Sequence, residues 1–348
     1  MKLATYDEFT TLKPVCRAAE RQPQMKAMTY ARYGALHGVT LASVATPVVG
    51  DDDVLVRVRA AGLHVGDVFG VKGEPLLMRV ATGLFKPKHG IPGFDLAGTV
   101  EAVGRNVSRF RRGDEVFGAG VATCAEYAIV EEDLLALKPY NLSFEHAAGL
   151  ATSGLAALHA LRDVADVRPG QRVLINGASG GVGHFAVQIA KAFGAEVTGV
   201  CGPHNVDMVR ALGAHHVIDY TRRDFTEAGP HYDLIFDNVE NRSLSECRRA
   251  LAPTGMLILN SGTGARGLAM FVRLLKPLVV SPFVRHKLRR YLSQPNHEDL
   301  DALRRLTESG ELSPIISKSF ALAETVDALQ HIDTGRARGK VVVRVCPL

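Results

Sequence analysis

Residues 172–202 read RVLINGASGGVGHFAVQIAKAFGAEVTGVCG and are the most informative stretch of the chain. A short apolar strand over residues 173–175 leads into a glycine-rich turn. The next residues carry apolar side chains at helical spacing, and a second apolar strand follows at 197–200. Because strand, turn, helix and strand follow in this order, the stretch predicts half of a nucleotide-binding βαβ unit.

The turn of this unit has the glycines that an anion site needs. Gly180 allows the backbone to approach a pyrophosphate, and Gly183 allows the helix to pack closely on the strand. Ala178 occupies the position of the first glycine of the common fingerprint, with Gly177 before it. We expect a cofactor to contact Ser179, Gly180, Gly181, Val182 and Gly183, with helix-terminal N–H groups facing its phosphates. A glycine-rich turn without a ligand remains the alternative.

The end of the second strand favours NADPH over NADH. An NAD site normally has an acid there, about 20 residues past the glycines, to bind the ribose 2′-hydroxyl. This chain has Cys201 and Gly202, and its next acid is Asp207. The basic residues nearby in sequence are His204, Arg210, Arg222 and Arg223. A solvated helix face is the open alternative for Arg210 and Arg223, whereas we expect Cys201, His204 and Asn205 to contact the cofactor.

Composition indicates a globular protein with two domains. The chain has 348 residues, 47% of them hydrophobic, and a net charge of +5. Between Cys247 and His297 there are nine Lys or Arg and no Asp or Glu, but no nucleic-acid-binding motif accompanies them, so no nucleic-acid partner is expected. The five cysteines form no CxxC pair, which favours reduced thiols and a cytoplasmic protein.

No targeting or membrane-spanning segment is expected. Residues 1–26 contain three acids and lack a continuous apolar core, unlike a secretory signal or a typical transit peptide. Residues 268–284 are apolar, but Arg273, Lys276, Pro277 and Pro282 interrupt them. A flap or a dimer contact is favoured for this segment over a membrane-surface helix, so membrane contact is not expected.

Two patterns divide the chain. Residues 27–140 contain alternating apolar strands and many glycines, which indicates an antiparallel, partly barrelled domain. From about Glu145, strands alternate with helices, and strands are predicted at 172–176, 196–200, 215–218, 233–237 and 255–260. The predicted division is an extension at 1–26, a β-rich domain at 27–150 and 298–348, and a nucleotide-binding domain at 151–297. The final strand returns to the first domain and makes it discontinuous.

Several further motifs occur in a specific order. They are Gly62…Asp67…Gly73, PGFDLAG at 92–98, GDEVFG at 113–118, AEY at 125–127, AAGL at 147–150, VIDY at 217–220, FDNV at 236–239 and RARGKVV at 336–342. With the glycine run, they resemble the zinc-independent quinone oxidoreductase branch of the medium-chain dehydrogenase/reductase superfamily, from about residue 27 to the C-terminus. The resemblance implies an α/β protein with a GroES-like β-rich substrate domain and a Rossmann domain with a doubly wound parallel sheet. It also implies hydride transfer from NADPH in a cleft between the domains, and commonly a homodimer.

Without a metal, the substrate carbonyl has to be activated by hydrogen bonding, and the resemblance implies Asn at the position of His64 and an acid at the position of Asp67 in zinc-free relatives. Zinc-dependent relatives have Cys at the position of His64 and a His-Glu pair at Phe94-Asp95, so no metal site is expected. His64 is the candidate for orienting or protonating the substrate, with Asp67 as the accompanying acid. Satisfying loop backbone groups is the alternative for His64, and bracing a turn is the favoured alternative for Asp67.

Other cofactor contacts follow from the same resemblance. Thr152 matches a position near the nicotinamide and pyrophosphate, Tyr220 matches an aromatic that packs on adenine, and Lys340 matches a lysine that reaches the cofactor. Asn238 and Asn260 follow successive predicted strands, where ligands of doubly wound sheets gather. An ordinary turn or strand-end role remains open for each.

The leading functional hypothesis is an NADPH-dependent, zinc-independent reductase of quinones or α,β-unsaturated carbonyls, with a small-molecule substrate. A zinc-free carbonyl or alcohol dehydrogenase is the alternative among enzymes. A weakly active NADPH-binding protein acting through a partner or a membrane surface is the alternative outside them. The sequence does not identify the substrate, the proton donor or the oligomeric state.

Overall fold

The computed structural model describes residues 23–74, 76, 79–227, 231–260 and 284–345. The predicted extension at 1–26 therefore lies largely outside the described residues, and so does the apolar segment 268–284 except for Val284. Within the described ranges the chain forms two large sheets and a separate two-stranded sheet.

The strands are β1 (Gln24–Thr29), β2 (Thr40–Ala45), β3 (Asp53–Leu63), β4 (Asp95–Val103), β5 (Glu115–Ala119), β6 (Tyr127–Glu131), β7 (Leu135–Leu137), β8 (Arg172–Asn176), β9 (Glu196–Cys201), β10 (His216–Asp219), β11 (Tyr232–Asp237), β12 (Leu251–Leu259), β13 (Lys287–Arg289), β14 (Ile316–Ala321) and β15 (Lys340–Arg344). The helices are α1 (Val65–Lys72), α2 (Arg79–Thr82), α3 (Phe144–Ala148), α4 (Ala151–Leu158), α5 (Gly183–Ala192), α6 (Val206–Ala211), α7 (Leu244–Ala250), α8 (His297–Glu308) and α9 (Thr325–Asp333). No described helix is both long enough and apolar enough to span a bilayer.

A seven-stranded, mostly antiparallel sheet forms the β-rich part. Its order is β14-β15-β3-β4-β5-β7, with β6 also paired to β3. In β3 the side chains of Val54, Val56 and Val58 are buried while Arg57 is exposed, as the alternating sequence predicts. The C-terminal β15 pairs antiparallel with β3, so the end of the chain lies in the same sheet as its N-terminal half.

A six-stranded parallel sheet forms the second part, in the order β10-β9-β8-β11-β12-β13. Both faces of this sheet are covered, because Val173 and Ile175 pack into one apolar cluster and Leu174 into another. The strand order reverses between β8 and β11, which is where doubly wound sheets bind their ligands. The predicted fold, an α/β protein with a GroES-like domain and a doubly wound Rossmann sheet, is confirmed.

One apolar cluster joins the two parts. It contains Ala60 and Phe117 of the β-rich sheet, Leu155 of α4, and Phe185 and Phe236 of the parallel part. The two parts are also joined through the backbone, because the N–H of Gly339, directly before β15, donates to the carbonyl of Ser179 in the turn after β8. The strand ends of one sheet are thereby held beside the glycine-rich turn of the other.

Candidate active site

The glycine-rich turn runs from the end of β8 to the start of α5. Gly177 has a left-handed φ of 76°, and a Cβ at Gly183 would lie only 2.0 Å from the Gly177 carbonyl oxygen. The glycine that makes the turn is therefore Gly177, whereas Ala178 is fully buried beneath it. The alignment with the common fingerprint put Ala178 at the first-glycine position. In the structure the left-handed conformation that requires glycine lies one residue earlier, at Gly177.

The outer side of the turn is open. Ser179, Gly180, Gly181 and Val182 are half-buried, and they precede the ten-residue α5, whose first N–H groups have no partners within the helix. The carbonyl of Ser179 accepts a hydrogen bond from the N–H of Gly339, which ties the turn to the C-terminal strand. This turn suits a dinucleotide pyrophosphate, because glycine backbone and a helix N-terminus are available together.

Asn205 joins the turn from the side of β9. Its Nδ2 donates to Ser179 Oγ at 3.1 Å, while its buried Oδ1 has no hydrogen-bond partner among the described residues. His204 is exposed next to it. Cys201 is buried, and burial raises the pKa of its thiol to about 11. The side chain of Cys201 is thus a neutral packing group rather than a nucleophile.

An acid does lie at this edge of the sheet, on the neighbouring strand. Asp219 is in register with Cys201, and its carboxylate accepts hydrogen bonds from the N–H and hydroxyl of Thr221. These hydrogen bonds, the N–H bond first, hold the pKa of Asp219 below its ordinary value. Arg222 Nε lies 3.7 Å away. The exposed ring of Tyr220 stands over Gly202, as expected for an aromatic beside an adenine.

Amides line the ends of three parallel strands. Asn260 Nδ2 donates to Asn238 Oδ1 at 2.8 Å, and Asn238 Nδ2 donates to the carbonyl of Asn176. Asn176 Nδ2 in turn donates to Asp237 Oδ1 at 2.8 Å. Burial raises the pKa of Asp237, and its Oδ2 has no partner among the described residues. These hydrogen bonds fix the two predicted residues, Asn238 and Asn260, near the point where the strand order reverses between β8 and β11.

His64 caps the N-terminus of α1. Its Nδ1 accepts from the N–H of Gly66 at 2.9 Å, so the ring proton belongs on Nε2. That Nε2 is buried and has no partner within the described ranges, and the ring stacks on Phe94 with centroids 5.4 Å apart. His64 therefore satisfies a loop backbone group with one nitrogen and keeps a free N–H donor on the other.

Asp67 braces the same turn. One carboxylate oxygen accepts from the N–H of His64 at 2.8 Å and the other from the N–H of Gly93 at 2.9 Å. The side chain is fully buried, and burial raises its pKa. Asp67 thus holds His64 and the segment before Phe94 in place, which is a positioning role.

A buried polar cluster lies between His64 and the glycine turn. Asp95 Oδ1 accepts from both the N–H and the hydroxyl of Thr152, and Asp95 Oδ2 lies 3.2 Å from Lys340 Nζ. Lys340 Nζ also donates to Ser153 Oγ at 3.1 Å. The cluster reaches the glycine turn, since a Cβ at Gly181 would lie 3.7 Å from Ser153 Oγ. The predicted residues Thr152 and Lys340 therefore lie together beside the glycine turn.

Residues 50–140 match the family described as alcohol dehydrogenase GroES-like domain, and residues 212–343 match the family described as zinc-binding dehydrogenase. A 2-methylene-furan-3-one reductase from Solanum lycopersicum is 32% identical over 343 residues, covering 93% of this chain and 80% of that protein. An NADPH-dependent alkenal/one oxidoreductase from Arabidopsis thaliana is 30% identical, with 93% and 80% covered. The solved quinone oxidoreductase from Coxiella burnetii is 30% identical, with a TM-score of 0.82, covering 93% of this chain and 100% of that one.

The chain is a medium-chain dehydrogenase/reductase of the quinone-oxidoreductase-like branch. It is accordingly an oxidoreductase of a nicotinamide-dependent family. The glycine turn, the helix N-terminus and the unpaired Oδ1 of Asn205 fit such a dinucleotide, which supplies hydride when bound.

Zinc does not fit the donor set of this medium-chain dehydrogenase/reductase. Both carboxylate oxygens of Asp67 are used by backbone N–H groups, and Asp95 is engaged by Thr152 and Lys340. The aromatic Phe94 occupies the space beside His64. Among the residues that the structure describes, no three His, Cys, Asp or Glu side chains are grouped to hold a metal.

Three residues of the site were not identified from the sequence. Asp95 was considered only as a metal donor, although it holds two predicted cofactor residues. Ser153 follows Thr152 and had no distinguishing pattern. His184 follows the glycine run directly, is fully buried, and places Nδ1 3.0 Å from the Gly180 carbonyl. Burial lowers its pKa to about 4, so a neutral ring supports the turn. The helical repeat gave no sign of its burial, because His184 is on the same side of α5 as Lys191, which is seven residues later and exposed.

Proposed function

We propose that this oxidoreductase reduces quinones or α,β-unsaturated carbonyls by hydride transfer from NADPH. The observation that carries the proposal is the free Nε2–H of His64, a buried donor that has no acceptor among the described residues. A donor in that position can bind a carbonyl oxygen, and it strengthens its hydrogen bond as negative charge develops there.

The chemistry needs no metal under this proposal. When hydride adds to an electron-poor carbon, charge accumulates on the conjugated oxygen as an enolate or phenolate. His64 Nε2–H stabilises that oxygen, while Phe94 supplies an apolar wall next to it. Three relatives support this substrate class by name: a 2-methylene-furan-3-one reductase, an alkenal/one oxidoreductase and a quinone oxidoreductase.

The preference for NADPH rests on the end of β9. Cys201 is neutral and buried there, and the nearest acid, Asp219, already accepts two hydrogen bonds from Thr221. Arg222 offers positive charge beside it and exposed His204 offers a ring N–H donor, which suits a 2′-phosphate. The name of the NADPH-dependent relative points the same way.

The test is NADPH and NADH oxidation with a panel of quinones, enones and saturated aldehydes. The proposal expects turnover with the first two classes and a higher kcat/KM with NADPH. Turnover of saturated aldehydes alone would favour a carbonyl reductase. Tight NADPH binding without turnover of any class would favour a binding protein and refute the proposal.

A cytoplasmic location and a homodimer are parts of the same proposal. The described cysteines Cys124, Cys201 and Cys247 are free and buried, as suits a reducing compartment. Light scattering of the purified protein tests the dimer, and cell fractionation tests the location.

A further inference from the structure

Between α1 and β4, the described residues 73, 74, 76 and 79–91 form a segment that we call the lobe. The lobe is fastened from inside by polar groups. The hydroxyl of Tyr33 bonds Thr82 Oγ1 at 2.9 Å and donates to the carbonyl of Gly83 at 2.6 Å, while Arg79 stacks on the Tyr33 ring at 4.6 Å. Arg79 Nε also donates to the carbonyl of Gly73. These contacts attach the lobe to the rest of the fold in a defined conformation.

The outer side of the lobe is apolar. Leu76 is 70% exposed, Val80 74%, Leu84 58% and Phe85 90%. We call these four residues the apolar tip. The segment is held to the body at Thr82 and Gly83 through Tyr33, whereas Val80 and Leu84, on either side of these two residues in the sequence, are exposed. Polar groups inside and large apolar groups outside reverse the usual arrangement of a globular surface, which marks an interaction site.

Basic residues flank the apolar tip in the sequence. Between Glu74 and Asp95 the sequence has no Asp or Glu, but it has Arg79, Lys86, Lys88 and His89. Lys86, Lys88 and His89 are exposed, and Arg32 is exposed next to Tyr33 in the adjoining loop. Glu74, at the base of the lobe, is the one exposed acid in this segment.

We propose that the lobe docks on an anionic lipid surface, with the apolar tip at the boundary between headgroups and acyl chains. Binding of this kind requires two signals, insertion of apolar side chains into the lipid and electrostatic attraction to anionic headgroups. The apolar tip provides the first and the flanking lysines provide the second. A second copy of the chain suits the lobe less well, because two tips in contact would bring the same basic side chains together.

The end of the lobe leads into the candidate active site, because it is followed by Gly93, whose N–H bonds Asp67. The start of the lobe is linked to His64 through α1, which His64 caps at the other end. Docking through the lobe therefore places the His64–Phe94 side of the cleft near the lipid, where apolar quinones and enones concentrate. This consequence for the substrate rests on the proposed function, whereas the docking itself does not.

The sequence contains no tryptophan, so a single introduced one reports its own surroundings. Phe85→Trp places it in the apolar tip, and Val48→Trp places it on a residue of similar exposure, 75%, outside the lobe. With vesicles of phosphatidylcholine and phosphatidylglycerol, the emission of Phe85→Trp should shift to shorter wavelength and be quenched by brominated acyl chains. Val48→Trp should show neither change. Equal behaviour of the two variants would overturn the proposal.

Sedimentation with the same vesicles tests the two signals separately. Phe85→Ser should weaken vesicle binding by about tenfold or more, because the variant has no phenylalanine ring to transfer from water into the lipid. Val48→Ser should have no effect. Lys86→Gln with Lys88→Gln should abolish the preference for anionic vesicles, and Lys26→Gln with Lys287→Gln should preserve it. Sedimentation unaffected by the lobe variants, or loss of a dimer in Phe85→Ser without vesicles, would overturn the proposal. None of these readouts requires turnover. A protein that binds the vesicles but reduces neither quinones nor enones would therefore refute the proposed function and leave the docking proposal standing.

Discussion

Lys340 and Asp95 form an ion pair of 3.2 Å in which both side chains are almost completely buried. They are 245 residues apart in the sequence. The pair is satisfied by Thr152 and Ser153, so four polar side chains from three segments share one buried cluster. Removing water from charged groups is unfavourable, and such a cluster persists only if each charge keeps its partners.

We expect Asp95→Leu and Lys340→Met each to lower the free energy of unfolding by about 3–5 kcal/mol, because each leaves an unpaired buried charge. The double variant should lose less than the sum of the two, since no charge is left alone. Urea unfolding of the four proteins measures this coupling. Additive losses would show that the two residues do not interact in solution.

His64→Phe should lower kcat for quinone or enone reduction by about a hundredfold, because the donor to the developing oxyanion is lost. The dissociation constant for NADPH should stay nearly unchanged, since under the proposed function His64 binds the substrate oxygen rather than the cofactor. His64→Asn is the matched control, because its amide can still cap α1 and offer a donor. We expect its kcat to fall between those of the other two proteins. Wild-type kcat in His64→Phe would remove His64 from the mechanism.

Gly183→Ala should weaken dinucleotide binding and lower stability together. The added Cβ would overlap the Gly177 carbonyl oxygen at 2.0 Å, so the turn or the helix has to move. Gly38→Ala is the control, since nothing lies within 4 Å of its Cβ. NADPH titration and thermal unfolding compare the two variants. An unaltered NADPH affinity in Gly183→Ala would separate this turn from the cofactor site.

His184 predicts a dependence of stability on pH. Burial lowers its folded pKa to about 4 from an ordinary 6.5, so between these values the unfolded state binds more protons. The contribution of His184 to the free energy of unfolding is therefore fully present above pH 6.5. As the pH falls from 6.5 towards 4, the free energy of unfolding decreases by about 3 kcal/mol in all. His184→Gln should remove this part of the slope when urea unfolding is followed from pH 4.5 to 7.5. A variant whose slope equals that of the wild type would contradict the assignment.

The elements around the glycine turn were predictable because their patterns are local. The strand predicted at 172–176 is β8, and the helix after it is α5. Other bounds differ: β12 begins at Leu251 rather than at 255, since residues before the apolar run still pair with β11. The first-glycine position was misplaced because the turn depends on a backbone angle at Gly177 that letters alone do not show.

The contacts of the site were less predictable. Asp95, Thr152 and Lys340 lie far apart in sequence, and their hydrogen bonds follow from the way β4, α4 and β15 meet. For Asp67 the structure shows the bracing role that was the favoured alternative in the sequence. The sequence did not indicate that the apolar tip is exposed, because apolar residues with this spacing also occur in an ordinary buried helix.

The hydrogen bond from Gly339 to Ser179 makes cofactor retention depend on a distant part of the chain. Gly339 and Lys340 are far from the glycine turn in the sequence, so a long loop has to close before the turn is supported and Asp95 gains its cation. A molecule cleaved before residue 339 can keep most of its sequence folded and still be unable to hold a cofactor firmly. Cofactor retention therefore distinguishes intact molecules from nicked ones.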